Sequence, residues 1–217
     1  MKNSEARHGA QLKIQPFKPK TPESFYSEPN ILTVIRLVLS LSFFTLAIVK
    51  MSPTYNFIGL GIHWLGDVAD GMYARLLKQE TILGAEIDII ADRVETLFFY
   101  INLLHFHPHL FLPAAVYIIE FAFIDFYLSY QFLKYDIISP NYFFKVDRTF
   151  HLLNYSPPAK FVNSTIVTLI LIFFPQLKLI ALIVAVFLIG LKIYSIFLLN
   201  KKTRVGKKIH SNQEKTG

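Results

Sequence analysis

The sequence predicts an all-α integral membrane protein with six transmembrane helices and both termini cytoplasmic. Three observations lead there. The first is composition. Of 217 residues, 53% are hydrophobic and 17% charged, with 21 Phe; a soluble domain carries about a quarter charged residues. The second is a series of apolar stretches near the length of about 20 residues that a spanning helix needs. The third is the alternation of basic residues between successive connections, as the positive-inside rule requires.

In chain order, residues 1–28 are polar with scattered proline and read as a cytoplasmic tail, with a short interfacial helix expected around 14–17. No apolar run near the start marks a cleaved leader. The membrane domain is placed at 29–200. Its spans fall near 31–51, 56–77, 85–105, 110–133, 161–174 and 177–200. The fifth is short. Arg75 and Lys78 lie between spans two and three, and Lys134, Lys145, Arg148 and Lys160 between four and five. The opposite connections hold few cations. Residues 201–217 form a basic tail with Lys201, Lys202, Arg204, Lys207, Lys208 and Lys215 against Glu214.

Several function classes drop out. Disorder needs low hydrophobicity and high charge. With no cysteine there is no disulfide scaffold, thiolate zinc site or cysteine nucleophile. The net charge of +7 sits largely in tails and inner loops, so it points to a membrane surface rather than to nucleic acid.

Spans two and three carry the chemistry. Asp67, Asp70, Gly71, Ala74 and Arg75 follow i, i+3, i+4, i+7, i+8 and share one helix face. Gly84, Asp88 and Asp92 follow i, i+4, i+8 and share another. A carboxylate at membrane depth costs about 2.5–3.5 kcal/mol on insertion scales, so four of them need compensation. A hairpin turn centred near Gln79–Glu80 puts Asp67 level with Asp92 and Asp70 level with Asp88. The four carboxylates then form one cluster, with Arg75 above it toward the cytoplasm. One arginine does not neutralise four carboxylates. All-oxygen ligands favour Mg²⁺, Mn²⁺ or Ca²⁺, and two ions can share such a site. Small residues leave room for a ligand, and the Arg75 fork suits a diphosphate.

The pattern Asp67-x2-Asp70-Gly71-x2-Ala74-Arg75-x8-Gly84-x3-Asp88-x3-Asp92 resembles the signature of the CDP-alcohol phosphotransferases at all eight fixed positions. Pro29-Asn30-x-Leu32-Thr33-x2-Arg36 also resembles the segment that often opens these enzymes. The resemblance implies transfer of a phosphoalcohol group from a CDP-alcohol to a second alcohol, with release of CMP. Asp67, Asp70, Asp88 and Asp92 would hold two divalent cations, Mg²⁺ or Mn²⁺, and Asp92 would also act as the base. Gly71, Ala74, Arg75 and Gly84 would line the CDP site. The length resembles members that take CDP-diacylglycerol and a small polar alcohol, the phosphatidylinositol or phosphatidylglycerophosphate synthases. The acceptor stays open between inositol-type and glycerol-phosphate-type. A homodimer through spans three and four is implied as well. An ion or solute transporter with an intramembrane carboxylate cluster is the competing class, but it does not require Gly71, Ala74, Arg75 and Gly84 at fixed spacing. A catalytically silent relative acting as a scaffold does not account for the intact acidic set.

Other residues have two readings each. Arg148, His151 and Lys160 are candidates for an acceptor phosphate or for headgroup contact. Arg93 has no carboxylate three or four residues away, so it needs a partner on another span or a role in the site. Asp125 shows no partner in the sequence. His63 lies on the Asp67 face one turn deeper and reads as a packing histidine. His105, His107 and His109 read as an exposed loop, and Tyr127, Tyr130 and Tyr135 as interfacial anchors.

Overall fold

The computed structural model describes residues 23–135 and 137–214, with side chains as far as Lys201. Most of the expected N-terminal tail, including its helix near 14–17, lies outside the described residues. Every regular element among the described residues is helical.

Helix α1 (Glu28–Val49) starts with Pro29, whose fixed φ suits a first turn and whose missing N–H is no loss there. Helix α2 (Pro53–Leu77) begins on proline for the same reason. It closes with Lys78 in the left-handed conformation (φ 56°), whose N–H reaches back to the Arg75 carbonyl. Helix α3 (Ile82–Phe106) is doubly capped. The Thr81 hydroxyl accepts from the Gly84 N–H at 3.0 Å. The Glu23 carboxylate accepts from the N–H groups of Ile82 and Leu83 at 3.1 and 2.9 Å, a negative charge on the positive end of the helix dipole. The turn between α2 and α3 is thus residues 78–81, centred where the sequence places it.

The next rod, Pro108–Tyr135, is interrupted. Helix α4 (Phe111–Ile119) passes into a π-helical stretch, Glu120–Asp125, and continues as α5 (Phe126–Tyr130). A π segment widens the turn and marks functional positions more often than an α turn does. After a 3₁₀ connection at Pro140–Lys145, α6 (Arg148–Asn154), α7 (Pro157–Phe161) and α8 (Val167–Phe173) form the fifth rod. Pro157, with Ser156 as N-cap, breaks α6 from α7. The rod therefore begins about a dozen residues before the expected 161–174. The last helix, α9 (Lys178–Glu214), continues through most of the expected tail.

Four helical rods are long and apolar enough to cross a membrane by length and composition: Glu28–Val49, Pro108–Tyr135, Arg148–Phe173 and Pro175–Lys201. α2 and α3 are as long, at 25 residues each, but carry the charged residues of the site. Their polar side chains turn inward. Apolar side chains such as Leu65, Val68, Ile101, Phe123 and Phe187 stay exposed on the outside, the reverse of a water-soluble protein.

α1 packs against both α2 and α3. Buried amides stitch the three together away from the site. Asn102 donates to the Phe44 carbonyl at 2.8 Å and to Asn56 Oδ1 at 3.1 Å, while Asn56 donates to the Phe99 carbonyl at 3.2 Å. Hydrogen bonds of this kind hold helices in register where burial gives no directional force. An apolar core around Phe44, Phe99, Tyr100 and Tyr117 fills that region. A second, around Phe132, Phe143, Phe150 and Tyr155, braces the opposite side of the site.

Candidate active site

The α2–α3 hairpin brings the four predicted aspartates together, and α1 supplies what holds them. Arg36 is 3% exposed and sits at their centre. Its Nη1 lies 3.4 Å from Asp67 and 3.2 Å from Asp70, both on α2. Its Nη2 lies 3.3 Å from Asp88, 3.0 Å from Asp92 and 3.3 Å from Glu95, all on α3. One planar fork thus ties two helices, which a lysine ammonium cannot reproduce. Gly66 makes this possible, because a Cβ there would overlap the Arg36 stem.

Glu95 is fully buried, accepts from the Ser40 hydroxyl and meets His63 Nδ1 at 2.8 Å. His63 therefore belongs to the layer beneath the aspartates rather than to plain packing. Carboxylate oxygens of Asp67, Asp70 and Asp88 lie within 4.8 Å of one another, as do donor atoms of His63, Asp92 and Glu95. The hard oxygen donors of the first set fit a divalent cation. The five carboxylates around Arg36 leave a formal negative excess that bound cations would offset.

Two clefts open on this cluster. The first, about 540 Å³, is lined by Gly71, Ala74, Arg75 and Gly84, the four residues expected to contact the CDP group, together with Asp70 and Asp88. The second, about 670 Å³, is lined by Asp67, Asp88 and Asp92 and extends toward α5, α6 and α7. Asp88 belongs to both walls, Asp70 only to the first and Asp92 only to the second. Beside the first cleft, Tyr142 in the 3₁₀ connection donates to Glu80 at 2.7 Å. Burial and that carboxylate push the phenol up to about 12, so it stays a donor.

The two glycines differ in purpose. A Cβ on Gly84 would come within 2.7 Å of Asn30 Oδ1 and 3.0 Å of Thr81 Oγ1, so Gly84 lets α1 approach α3. A Cβ on Gly71 would meet nothing nearer than the Arg75 fork, at 3.4 Å, so this glycine leaves open space in the cleft. Gly84→Ala is expected to destabilise the fold by about 1–3 kcal/mol. Gly71→Ala should fold normally and raise the KM for a CDP-lipid. Thermal unfolding in detergent and donor kinetics separate the two, and equal unfolding temperatures count against this assignment.

Arg93 lines the second cleft but is paired outside the four-aspartate cluster. Its Nη2 lies 2.6 Å from Asp125 and 3.3 Å from Ser129, and the guanidinium covers the Phe121 ring at 3.9 Å. Lys192 on α9 meets the other Asp125 oxygen at 2.6 Å. Asp125 thus has two cationic partners, from α3 and α9, neither at helical spacing, and the Ser129 hydroxyl one turn along donates to it at 3.5 Å. Lys160 lines the second cleft, whereas Arg148 and His151 do not. His107 and His109 are paired ring to ring, 5.9 Å apart, in the loop after α3.

Sequence reasoning left Arg36, Glu95 and Ser40 out of the site. The signal for Glu95 was present, since it follows Asp88 and Asp92 by seven and three residues on the same face. Arg36 lies 31 residues from its nearest acidic partner, and no spacing rule reaches that far.

The described residues thus form an all-helical fold with apolar outer faces and an acidic cluster shared by two clefts. The chain belongs to the CDP-alcohol phosphatidyltransferase family, whose model matches residues 26–198. No curated protein and no solved structure matches it at comparable stringency. The family places the activity as phosphotransfer from a CDP-alcohol to an alcohol in a membrane.

Proposed function

We propose that the chain transfers a phosphatidyl group from CDP-diacylglycerol to a hydroxyl of a small polar alcohol, releasing CMP. The observation that carries this reading is the pair of clefts meeting at Asp88, with Asp92 on the side away from the predicted CDP contacts. Gly71, Ala74, Arg75 and Gly84 hold the CDP moiety in the first cleft, and the acceptor enters the second. Asp67, Asp70, Asp88 and Asp92 hold two divalent cations, Mg²⁺ or Mn²⁺. When bound, these neutralise the diphosphate and polarise its phosphorus toward attack.

Asp92 accepts the proton of the acceptor hydroxyl. The hydroxyl oxygen bonds to the phosphatidyl phosphorus as the bond from that phosphorus to the CMP oxygen breaks. Arg75 at the first cleft orients the diphosphate through its planar fork. Arg36 and Glu95 hold the acidic side chains in place from below.

In the same reading, α2 and α3 join the four apolar rods as spans, giving six with both termini and the active site on the cytoplasmic side. The inward turn of the charges on α2 and α3 supports this. A homodimer through spans three and four would cover exposed side chains such as Ile101, Phe111 and Phe123. Cysteine accessibility at introduced sites and mass measurement in detergent test topology and dimer.

Purified protein given labelled CDP-diacylglycerol, Mn²⁺ and an acceptor panel is expected to release CMP. Excess EDTA should abolish release, and Mn²⁺ or Mg²⁺ should restore it. Full turnover in EDTA would remove the metal from the proposal. Asp70→Asn should raise the half-saturating Mn²⁺ concentration by about tenfold or more, the scale of a weakened ligand shell; unchanged metal dependence would take Asp70 out of the set.

A further inference from the structure

The stretch 137–145 runs from the fourth rod to the fifth and borders both clefts. The residues common to the two are Ala85 and Asp88 on α3, and Ser139 and Asn141 on this connection. A donor in the first cleft and an acceptor in the second must meet between these two walls. The wall opposite Asp88 carries a serine with nothing to bond. Ser139 stands at the N-cap position of the 3₁₀ turn Pro140–Lys145, where a serine hydroxyl ordinarily accepts from a backbone N–H two or three residues on. Ser139 makes no such bond. Its hydroxyl is buried and has no hydrogen-bond partner among the described residues. Buried polar groups are nearly always paired, so an unpaired one at the junction of two clefts marks the place of a ligand atom.

The backbone on either side of this serine is held. Ile137 and Ile138 before it are buried. Phe143 after it is buried, stacked on Tyr155 at 5.4 Å and edge-on to Phe150 at 4.6 Å. Between them, Tyr142 donates to Glu80 in the α2–α3 turn at 2.7 Å, and Lys145 Nζ lies 4.8 Å from the Tyr142 ring. The connection is thus tied to the second apolar core through Phe143 and to the aspartate hairpin through Tyr142. A donor fixed in this way needs no rearrangement when charge develops beside it.

We infer that the Ser139 hydroxyl donates a hydrogen bond to a non-bridging oxygen of the phosphoryl group in transfer, and that Tyr142 and Glu80 are the positioning pair that sets it there. The inference rests on the proposed transferase reading. The acceptor oxygen bonds to phosphorus, the bond from phosphorus to the CMP oxygen breaks, and the acceptor proton passes to Asp92. Ser139 keeps its own proton throughout. Because it serves the phosphoryl group and not the acceptor, its contribution is the same for every acceptor.

The test uses the full chain in detergent with CDP-diacylglycerol, Mn²⁺ and, in separate reactions, inositol, inositol 1-phosphate, glycerol 3-phosphate and serine. Donor binding is read apart from turnover, as a CDP-diacylglycerol-dependent shift in unfolding temperature. Ser139→Ala is expected to lower kcat by about tenfold to 10³-fold, the scale of a lost transition-state donor, and by the same factor for each acceptor the wild type uses. Both KM values and the donor shift should stay, as they do when an interaction is made only in the transition state. The unfolding temperature should be unchanged or higher, since the hydroxyl has no partner to lose. A fall in kcat of less than about tenfold overturns the inference and leaves the transferase reading standing. So does a raised acceptor KM, which would make Ser139 part of the acceptor wall, or a lowered unfolding temperature, which would give the hydroxyl a structural partner. A wild type that shows no donor shift, or releases no CMP, overturns the transferase reading and the inference with it.

Tyr142→Phe supplies the second arm, because it removes only the hydroxyl that reaches Glu80. It should lower kcat about threefold to tenfold, the scale of one hydrogen bond, with both KM values kept. In the Ser139→Ala background it should lower kcat no further, because it acts through Ser139. Glu80→Gln keeps a carbonyl acceptor and should recover most of what Glu80→Ala loses. An unchanged kcat for Tyr142→Phe, or a full further loss in the Ser139→Ala background, overturns the positioning role.

Discussion

Asp92→Asn is expected to slow CMP release by about 10²–10⁴-fold, the range lost with a positioned general base, while CDP-diacylglycerol binding survives. Asparagine has nearly the shape of aspartate but cannot take a proton from an alcohol. Asp92 lines the second cleft and not the first, so its removal should weigh on the acceptor half of the reaction. Its side chain is 23% exposed, against 2% for Asp70, which leaves it accessible to an incoming hydroxyl while Asp70 is sealed against Arg36. The measurements are single-turnover CMP release and the donor-dependent unfolding shift. Activity within about tenfold of wild type would move the base elsewhere. Loss of the donor shift together with activity would instead make Asp92 chiefly a metal ligand. Asp67→Asn provides the contrast, because Asp67 shares the second cleft but is 44% exposed; its effect should be partly reversed by higher Mn²⁺.

What could be read from the sequence follows from what is local. The faces of α2 and α3 and the depth matching across their turn depend on helical spacing and one short connection, and both appear in the structure. Gly71, Ala74, Arg75 and Gly84 line one cleft for the same reason. Contacts between distant segments were not legible. Asp125 reaches Arg93 across 32 residues and Lys192 across 67, and no periodicity encodes those pairings. The start of the fifth rod was misplaced because polar residues such as Arg148, His151 and Asn154 read as loop. They are helical because α6 packs on α9 and the 3₁₀ connection and Asp147 caps its first turn by accepting from the Phe150 N–H at 2.8 Å. Tertiary packing overrode local polarity there. Two of the six expected spans, α2 and α3, fall outside the four rods apolar enough by composition, since each holds charged residues that hydropathy counts against it.

Arg36→Met is expected to destabilise the protein by about 3–5 kcal/mol in metal-free buffer, the loss when one partner of a buried ion pair is removed. Methionine retains much of the stem that passes Gly66, so the loss reports the guanidinium rather than a cavity. Without it Asp67, Asp70, Asp88, Asp92 and Glu95 face one another with His63 as the nearest cationic candidate. A divalent cation that binds the folded cluster adds stability by mass action. The variant should therefore gain more from millimolar Mn²⁺ than the wild type does. Arg36→Lys should recover only part of the loss, because a single ammonium cannot serve the α2 acids through one nitrogen and the α3 acids through another. The measurement is thermal unfolding of all three proteins in detergent, in EDTA and across a Mn²⁺ titration. Equal unfolding temperatures in EDTA would mean that the guanidinium does not hold the cluster. A large loss with no Mn²⁺ rescue would mean that the cluster collapses without Arg36. In that case the arginine is a precondition for the cation site to form, beyond balancing its charge.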